Sequence, residues 1–433
     1  MYAKKYLIGL GCCVIVTALL ISVFITACSS DGSPSETTPA VTTATTAPSS
    51  SADTTVPQTT LPDTTAGTTA PDTTAGTTAG TTAPDPTVGT TAGTTAPDTT
   101  AGTTAGTTAP NTTPGTTWTS VTSASVYSSA VGESIDLSWG GVCYDNAIME
   151  IVYTVSKFGK YQGILNGIKE DLPEVNVYAL YCPTAIEFKG PSKYYGRQLK
   201  AMNNAYSGLV NVVGVDAWSY LDMYNDMDTY FKTDTHWSQQ GAYCAYRGFA
   251  DAAGFGFEAH DLSEYQSGTY EGFKGYFYNM KANSSVLHLL SPDTLTYYLP
   301  IEPATAYTYS SPAMSGGSKI AIVNTKFSSS NPYKYYCFTG GDRPLIKIES
   351  ETVQNGRVLL MLKDSYGNAL VPFLPDHFET VYVVDPRSFN TSSTPSFDLI
   401  DFARANGVTD ILVQTNAFNA QGGLMNNISA MID

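Results

Sequence analysis

The sequence predicts an α/β fold with a mainly parallel sheet of about five buried strands, flanking helices and a β-rich insertion. Three observations support this expectation. Apolar runs recur at 175–182, 209–215, 358–362, 380–384 and 410–414, the pattern of strands buried on both faces. Helix-period segments alternate with several of them, which favours crossover connections and parallel pairing. Four of the runs end in polar turns, at Pro183-Thr184, Ser365, Arg387 and Thr415-Asn416. Open α/β folds place their ligand crevice at that edge.

The chain has 433 residues, but only its later part has this pattern. Residues 1–28 resemble an export signal, with Lys4 and Lys5 ahead of an apolar stretch that closes on Ile25-Thr26-Ala27-Cys28. That ending is similar to a lipobox, which makes Cys28 a lipidation candidate. An uncleaved membrane anchor is the alternative, since the apolar run is nearly long enough to span. Both readings leave the body outside the cytoplasm and tethered to a membrane. Residues 29–117 repeat Thr-Thr-Ala-Gly-Thr-Thr-Ala-Pro-Asp with small variations. They have almost no large apolar side chains, so burial cannot offset the entropy of ordering them. Such Thr/Pro-rich tracts serve as stalks and are often O-glycosylated.

The folded domain is then 118–433, long enough for one large domain with an insertion. A net charge of −16 argues against nucleic acid as a partner. Four cysteines remain in the body: Cys143, Cys182, Cys244 and Cys337. Export permits two disulfides. Buried free thiols are the competing expectation. No His/Cys/Asp cluster has ligand spacing, so no metal or cofactor is expected.

Within the domain, Thr117 to Val142 suggests one or two strands, and Asp145 to Ile168 suggests a helix. The strand at 175–182 follows, then a helix from Tyr194 to Tyr206 and the strand at 209–215. A helix from Gln239 to Ala253 comes next. Residues 255–350 break the alternation. They are rich in Tyr, Ser, Gly and Pro, with β-like runs at 291–300, 320–325 and 333–338. This insertion reads as a structural flap or cleft rim. The strand at 358–362 restores the pattern and leads through Lys363-Asp364-Ser365-Tyr366-Gly367-Asn368 into a short helix. The strand at 380–384, a helix at 397–406, the strand at 410–414 and a helix within 423–432 complete the domain.

Ser365 lies at a strand-to-helix turn, where free N–H groups can hold an oxyanion. A serine hydroxyl needs a base, and the base needs an orienting carboxylate. Only four histidines exist. His236 alone has a carboxylate, Asp234, two residues upstream in a loop just before a helix. In an extended loop such residues point to the same side. Taken singly, Ser365 reads equally well as a helix cap and the Asp234–His236 pair as structural. Their joint placement at crevice-facing loops favours catalysis.

Thr233-Asp234-Thr235-His236-Trp237, the strand at 177–184, and the stretch from Lys363 to Leu374 together resemble the DHHW family. These are bacterial exported proteins related to the SGNH hydrolase-like domains of alginate O-acetyltransferases. Thr235 occupies the place of the family's first histidine, as in the alginate enzymes. Lys363 occupies the place of the glycine in Gly-Asp-Ser. The resemblance implies an SGNH-like (flavodoxin-like) three-layer α/β/α fold in circularly permuted order, with the Asp/His half first. It implies acyl transfer through Ser365, His236 and Asp234. Asn416 falls at the family's oxyanion asparagine, with a turn or cap as its alternative role. Arg387 replaces a glycine with a cation able to hold an oxyanion or a sugar acid, or forms a salt bridge. Tyr366 joins the candidate substrate contacts. Trp237 either walls the acceptor site or locks the loop as a core ring. An exported, tethered domain of this kind points to O-acetyl groups on a cell-surface glycan, handled as acetyltransferase or esterase. A membrane-bound acyl-donor protein is a candidate partner. The rival expectation is a non-catalytic glycan-binding or adhesion module on a degenerate scaffold.

Overall fold

The five apolar runs form five parallel strands, and the insertion adds three more to their edge. The computed structural model describes residues 118–122, 133–152, 157–254, 256–327 and 333–432. The leader with Cys28 and the tract at 29–117 lie outside the described residues. No helix among the described residues is long and apolar enough to cross a membrane.

The strands are β1 (Ile135–Asp136), β2 (Gly141–Tyr144), β3 (Ala147–Glu150), β4 (Asn176–Cys182), β5 (Val213–Gly214), β6 (Ser267–Phe273) and β7 (Asp293–Tyr298). They continue with β8 (Ala304–Tyr309), β9 (Ser318–Ile320), β10 (Leu345–Ser350), β11 (Val358–Leu362), β12 (Thr380–Val384) and β13 (Asp410–Asn416). The helices are α1 (Gly159–Asp171), α2 (Ala185–Phe188), α3 (Arg197–Tyr206), α4 (Ala217–Met223), α5 (Gln239–Ala253), α6 (Leu399–Ala405) and α7 (Gly423–Ser429).

The main sheet has eight strands in the order β5-β4-β13-β11-β12-β10-β8-β9. The first five run parallel, while β10, β8 and β9 join antiparallel. The insertion is therefore partly continuous with the sheet, whereas the sequence suggests an excursion beside about five strands. The serine strand β11 lies between β13 and β12. Leu359, Leu360, Met361 and Leu362 are fully buried, and each such side chain contributes roughly 1.5–3 kcal/mol. Helix α1 packs on β4 and on α7, and α4 and α5 pack on each other and on β4.

Three local expectations are corrected. The helix expected over 145–168 begins only at Gly159, because 141–150 is a hairpin. Asp145 and Asn146 have φ of 48° and 58°, the primed-turn conformation that joins β2 to β3. The run at 209–215 pairs only at Val213–Gly214, on the sheet edge. The β-like run at 333–338 is a 3-10 turn over Lys334–Cys337. The four body cysteines are free and buried.

Candidate active site

Helix α5 is anchored by its cap. The Ser238 side chain accepts the Gly241 N–H at 3.2 Å, a bond that satisfies one of the helix's free donors. The loop before it is held from the insertion. Asp293 on β7 accepts the N–H groups of Lys232 and Thr233, both at 2.9 Å. Gly275 lies so close that a Cβ there would sit 2.2 Å from the Asp234 Cβ, so this approach requires glycine.

These restraints fix Asp234 and His236. One Asp234 oxygen accepts the His236 backbone N–H at 3.0 Å and the ring Nδ1–H at 2.5 Å. The other accepts the Tyr276 N–H at 2.6 Å. Burial pushes the Asp234 carboxyl up, but the imidazole beside it and these donors outweigh burial and hold it below the usual carboxylate range. With Nδ1–H facing a carboxylate, Nε2 is left as the acceptor. Ser365 Oγ lies 2.7 Å from it.

Ser365 opens a 3-10 turn, Ser365–Ala369, at the carboxyl end of β11. Asp364 pins that turn. One oxygen accepts the Tyr366 N–H at 3.0 Å and the Gln414 amide at 3.1 Å. The other accepts the Asn416 N–H at 2.7 Å and the Asn419 amide at 2.8 Å. Four donors meet the hydrogen-bonding capacity of this buried carboxylate, and it ties the serine turn to the end of β13. The two loops also clamp each other. The Trp237 indole N–H donates to the Tyr366 carbonyl at 2.8 Å, and the Tyr366 hydroxyl donates to the Thr235 carbonyl.

A serine, an imidazole and a buried carboxylate joined in this way can deprotonate the hydroxyl and hold the resulting imidazolium. A profile of the DHHW protein family matches residues 112–384. The chain belongs to the DHHW family. A DHHW family protein from Eubacterium siraeum, solved by crystallography, is 32% identical with a TM-score of 0.59, over 70% of this chain and 99% of that one. The structure of Bacillus cereus PatB1 is 18% identical with a TM-score of 0.50, over 68% and 99%. PatB1 with a sulfonyl adduct gives 0.51 at the same identity, over 69% and 98%. Identity at that level speaks for the fold alone. A search of curated proteins finds no significant match.

In this DHHW protein, Ser365, His236 and Asp234 come together as the spacing predicts. Trp237 is fully buried and locks the loop; it does not wall a substrate site. Tyr366 is likewise a buried clamp. The Asn416 oxygen accepts the N–H groups of Phe418 and Asn419 at 3.0 and 2.9 Å, so it caps a turn. The Arg387 guanidinium bonds both Asp385 and Asp342, an ion-pair role. Lys363, at the place of the expected glycine, is wholly buried with its ammonium 3.0 Å from Asp342 and 3.6 Å from Asp385. Burial raises the Asp342 carboxyl, but Lys363 and Arg387 outweigh it and hold it strongly down.

Sequence reasoning missed the insertion's share of the site. Tyr335 stacks on His236 with centroids 4.0 Å apart and planes 12° apart. Its hydroxyl donates to the Ser365 carbonyl at 3.1 Å. Burial pushes that hydroxyl well up, so it stays a neutral donor. The Tyr276 backbone N–H is the second miss. Tyrosine density in the insertion was a signal, but it does not single out a position.

Proposed function

We propose that this DHHW protein is an extracytoplasmic serine acyl-transfer enzyme acting on O-acetyl groups of a cell-surface glycan. The observation behind this reading is the chain of contacts from Ser365 Oγ to His236 Nε2 at 2.7 Å and from His236 Nδ1 to Asp234 at 2.5 Å. His236 takes the serine proton as Oγ bonds to the acyl carbon, and Asp234 holds the imidazolium. The carbonyl oxygen becomes an oxyanion. The Ser365 N–H, which has no acceptor among the described residues, supports it. As the bond to the leaving oxygen breaks, His236 returns the proton to it. A sugar hydroxyl or water then attacks the acyl-serine by the same steps in reverse. Losing one oxyanion donor costs roughly 3–4 kcal/mol in the barrier.

In this reading residues 118–433 form a circularly permuted SGNH-like three-layer domain. Lipidated Cys28 tethers it, and the tract at 29–117 lifts it off the membrane. A membrane-bound protein supplies the acyl group if the enzyme is a transferase.

The test is release of p-nitrophenol from its acetate ester by the purified chain. Ser365→Ala and His236→Ala should each abolish it. Equal turnover in all three proteins would end the catalytic reading and leave a glycan-binding module. PatB1 has been solved with a sulfonyl adduct. An aryl sulfonyl fluoride should add one sulfonyl mass to this chain, and none to Ser365→Ala. Acetyl appearing on an added oligosaccharide, as opposed to free acetate, separates transferase from esterase.

A further inference from the structure

Exposed aromatic side chains stand on the segments that hold the candidate active site. Among the described residues they are Tyr276, Tyr333, Tyr336 and Phe418. Each stands on a segment bonded to the triad or the serine motif. Tyr276 gives its N–H to Asp234 at 2.6 Å. Tyr336 follows Tyr335, the ring against His236. Tyr333 stacks on Tyr336, with centroids 5.6 Å apart and planes 15° apart. Phe418 gives its N–H to Asn416, whose own N–H goes to Asp364. Rings left in water beside a reactive serine suggest a binding surface.

The Tyr333–Tyr336 pair is the best defined. Residues three apart in a 3-10 turn lie on one face, so both rings point outward, 57% and 47% exposed. Tyr335 points inward and is fixed by His236 and Ser365. The outer pair therefore rides on a turn fixed to the triad. Gly341 lets the Tyr336 ring lie flat; a Cβ there would fall 3.0 Å from it. Two nearby cations are neutralised by carboxylates. Arg387 bonds Asp385 and Asp342, and Lys363 bonds Asp342. The platform offers half-exposed aromatic surface beside these paired charges. The whole chain carries −16, which repels polyanions at long range.

We propose that the stacked Tyr333–Tyr336 pair is a subsite for an uncharged pyranose unit of the glycan on which Ser365 acts. Ring faces bury the C–H face of a sugar and leave its hydroxyls in water. The proposal rests on the acyl-transfer reading of the site.

Calorimetry on the full chain tests it, with N-acetylchitohexaose, cellohexaose and a hexagalacturonate as probes. At least one neutral hexasaccharide should bind. Tyr333→Ala and Tyr336→Ala should each weaken that binding at least tenfold, while Tyr336→Phe, which keeps the ring, should stay within threefold. Turnover of p-nitrophenyl acetate should stay within twofold in all three variants, because that ester needs no sugar subsite. This turnover also reports that each variant is folded. Unchanged affinity in both alanine variants overturns the subsite, as does tighter binding of the galacturonate. Ester turnover without binding of either neutral sugar overturns the subsite and leaves acyl transfer intact. Sugar binding lost in the alanine variants of a chain with no Ser365-dependent turnover supports the subsite and refutes the enzyme.

Discussion

Asp234→Asn removes one charge and changes almost no volume, so its effect can be worked out from the contacts. The carboxylate accepts three N–H groups, two from His236 on one oxygen and one from Tyr276 on the other. An asparagine keeps one acceptor edge and presents an NH2 on the other. The less costly orientation keeps the oxygen on His236 and turns the NH2 toward the Tyr276 N–H. One bond to a charged acceptor is then lost, about 2 kcal/mol. For a domain of this size that lowers the melting midpoint by about 3 °C. The catalytic effect is larger. A neutral amide cannot stabilise the imidazolium, and comparable triads lose about 10⁴ in kcat, roughly 5.4 kcal/mol. The assay is p-nitrophenyl acetate turnover alongside calorimetric melting. A folded variant that loses less than tenfold in kcat would refute the triad assignment.

Two further substitutions bear on stability. Lys363→Met leaves Asp342 with Arg387 and the Asn368 amide, and Asp385 with Arg387, and should cost about 3 kcal/mol in urea unfolding; a loss under about 1 kcal/mol would mean Lys363 is not holding them. Asp376 and His377 make a buried pair with opposite proton linkage. Burial, with His260 and Arg357 nearby, lowers His377 from 6.5 to about 3. Its contribution is therefore lost as pH falls through that window, because only the unfolded chain takes up the proton. Burial raises Asp376 from 3.8 to about 6, so its contribution is lost as pH rises through that range. The two nearly cancel between about pH 4 and 6. His377→Gln should shift the slope of stability against pH by up to about 1.4 kcal/mol per unit in one direction, and Asp376→Asn in the other. Chemical denaturation at pH 4, 5 and 6 measures this; slopes that move together would contradict the assignment.

The parts of the fold legible in the sequence were those where one residue type satisfied both local and global demands. Val358 to Leu362 reads as a buried strand and forms β11. The helix expected from Gln239 to Ala253 is found with those bounds. The hairpin at 141–150 was missed because its apolar residues also fit a helix period; the Asp145-Asn146 pair, tolerant of positive φ, was the signal against it. Ser365, His236 and Asp234 were legible because their chemistry needs those side chains. Tyr276 acts through its backbone, which no residue type announces. Tyr335 acts through a ring that twenty-eight other tyrosines also offer. Arg387 and Asn416 could be placed at strand ends by register, but what they bond depends on Asp342, Asp385, Phe418 and Asn419, whose positions only folding determines.

The reciprocal bonds between the two loops have a consequence for how the protein fails. The Trp237 indole and the Tyr366 hydroxyl each hold the other loop's backbone, across a separation of about 130 residues in the chain. Neither the Ser365 turn nor the His236 loop can loosen alone, since opening one releases the other. Loss of activity and global denaturation should then be a single event, with no inactive but folded state between them. Amides at Trp237 and Tyr366 should exchange with deuterium only as slowly as the molecule unfolds. A chain that had not finished folding would lack that clamp, and with it the contact between Ser365 and His236.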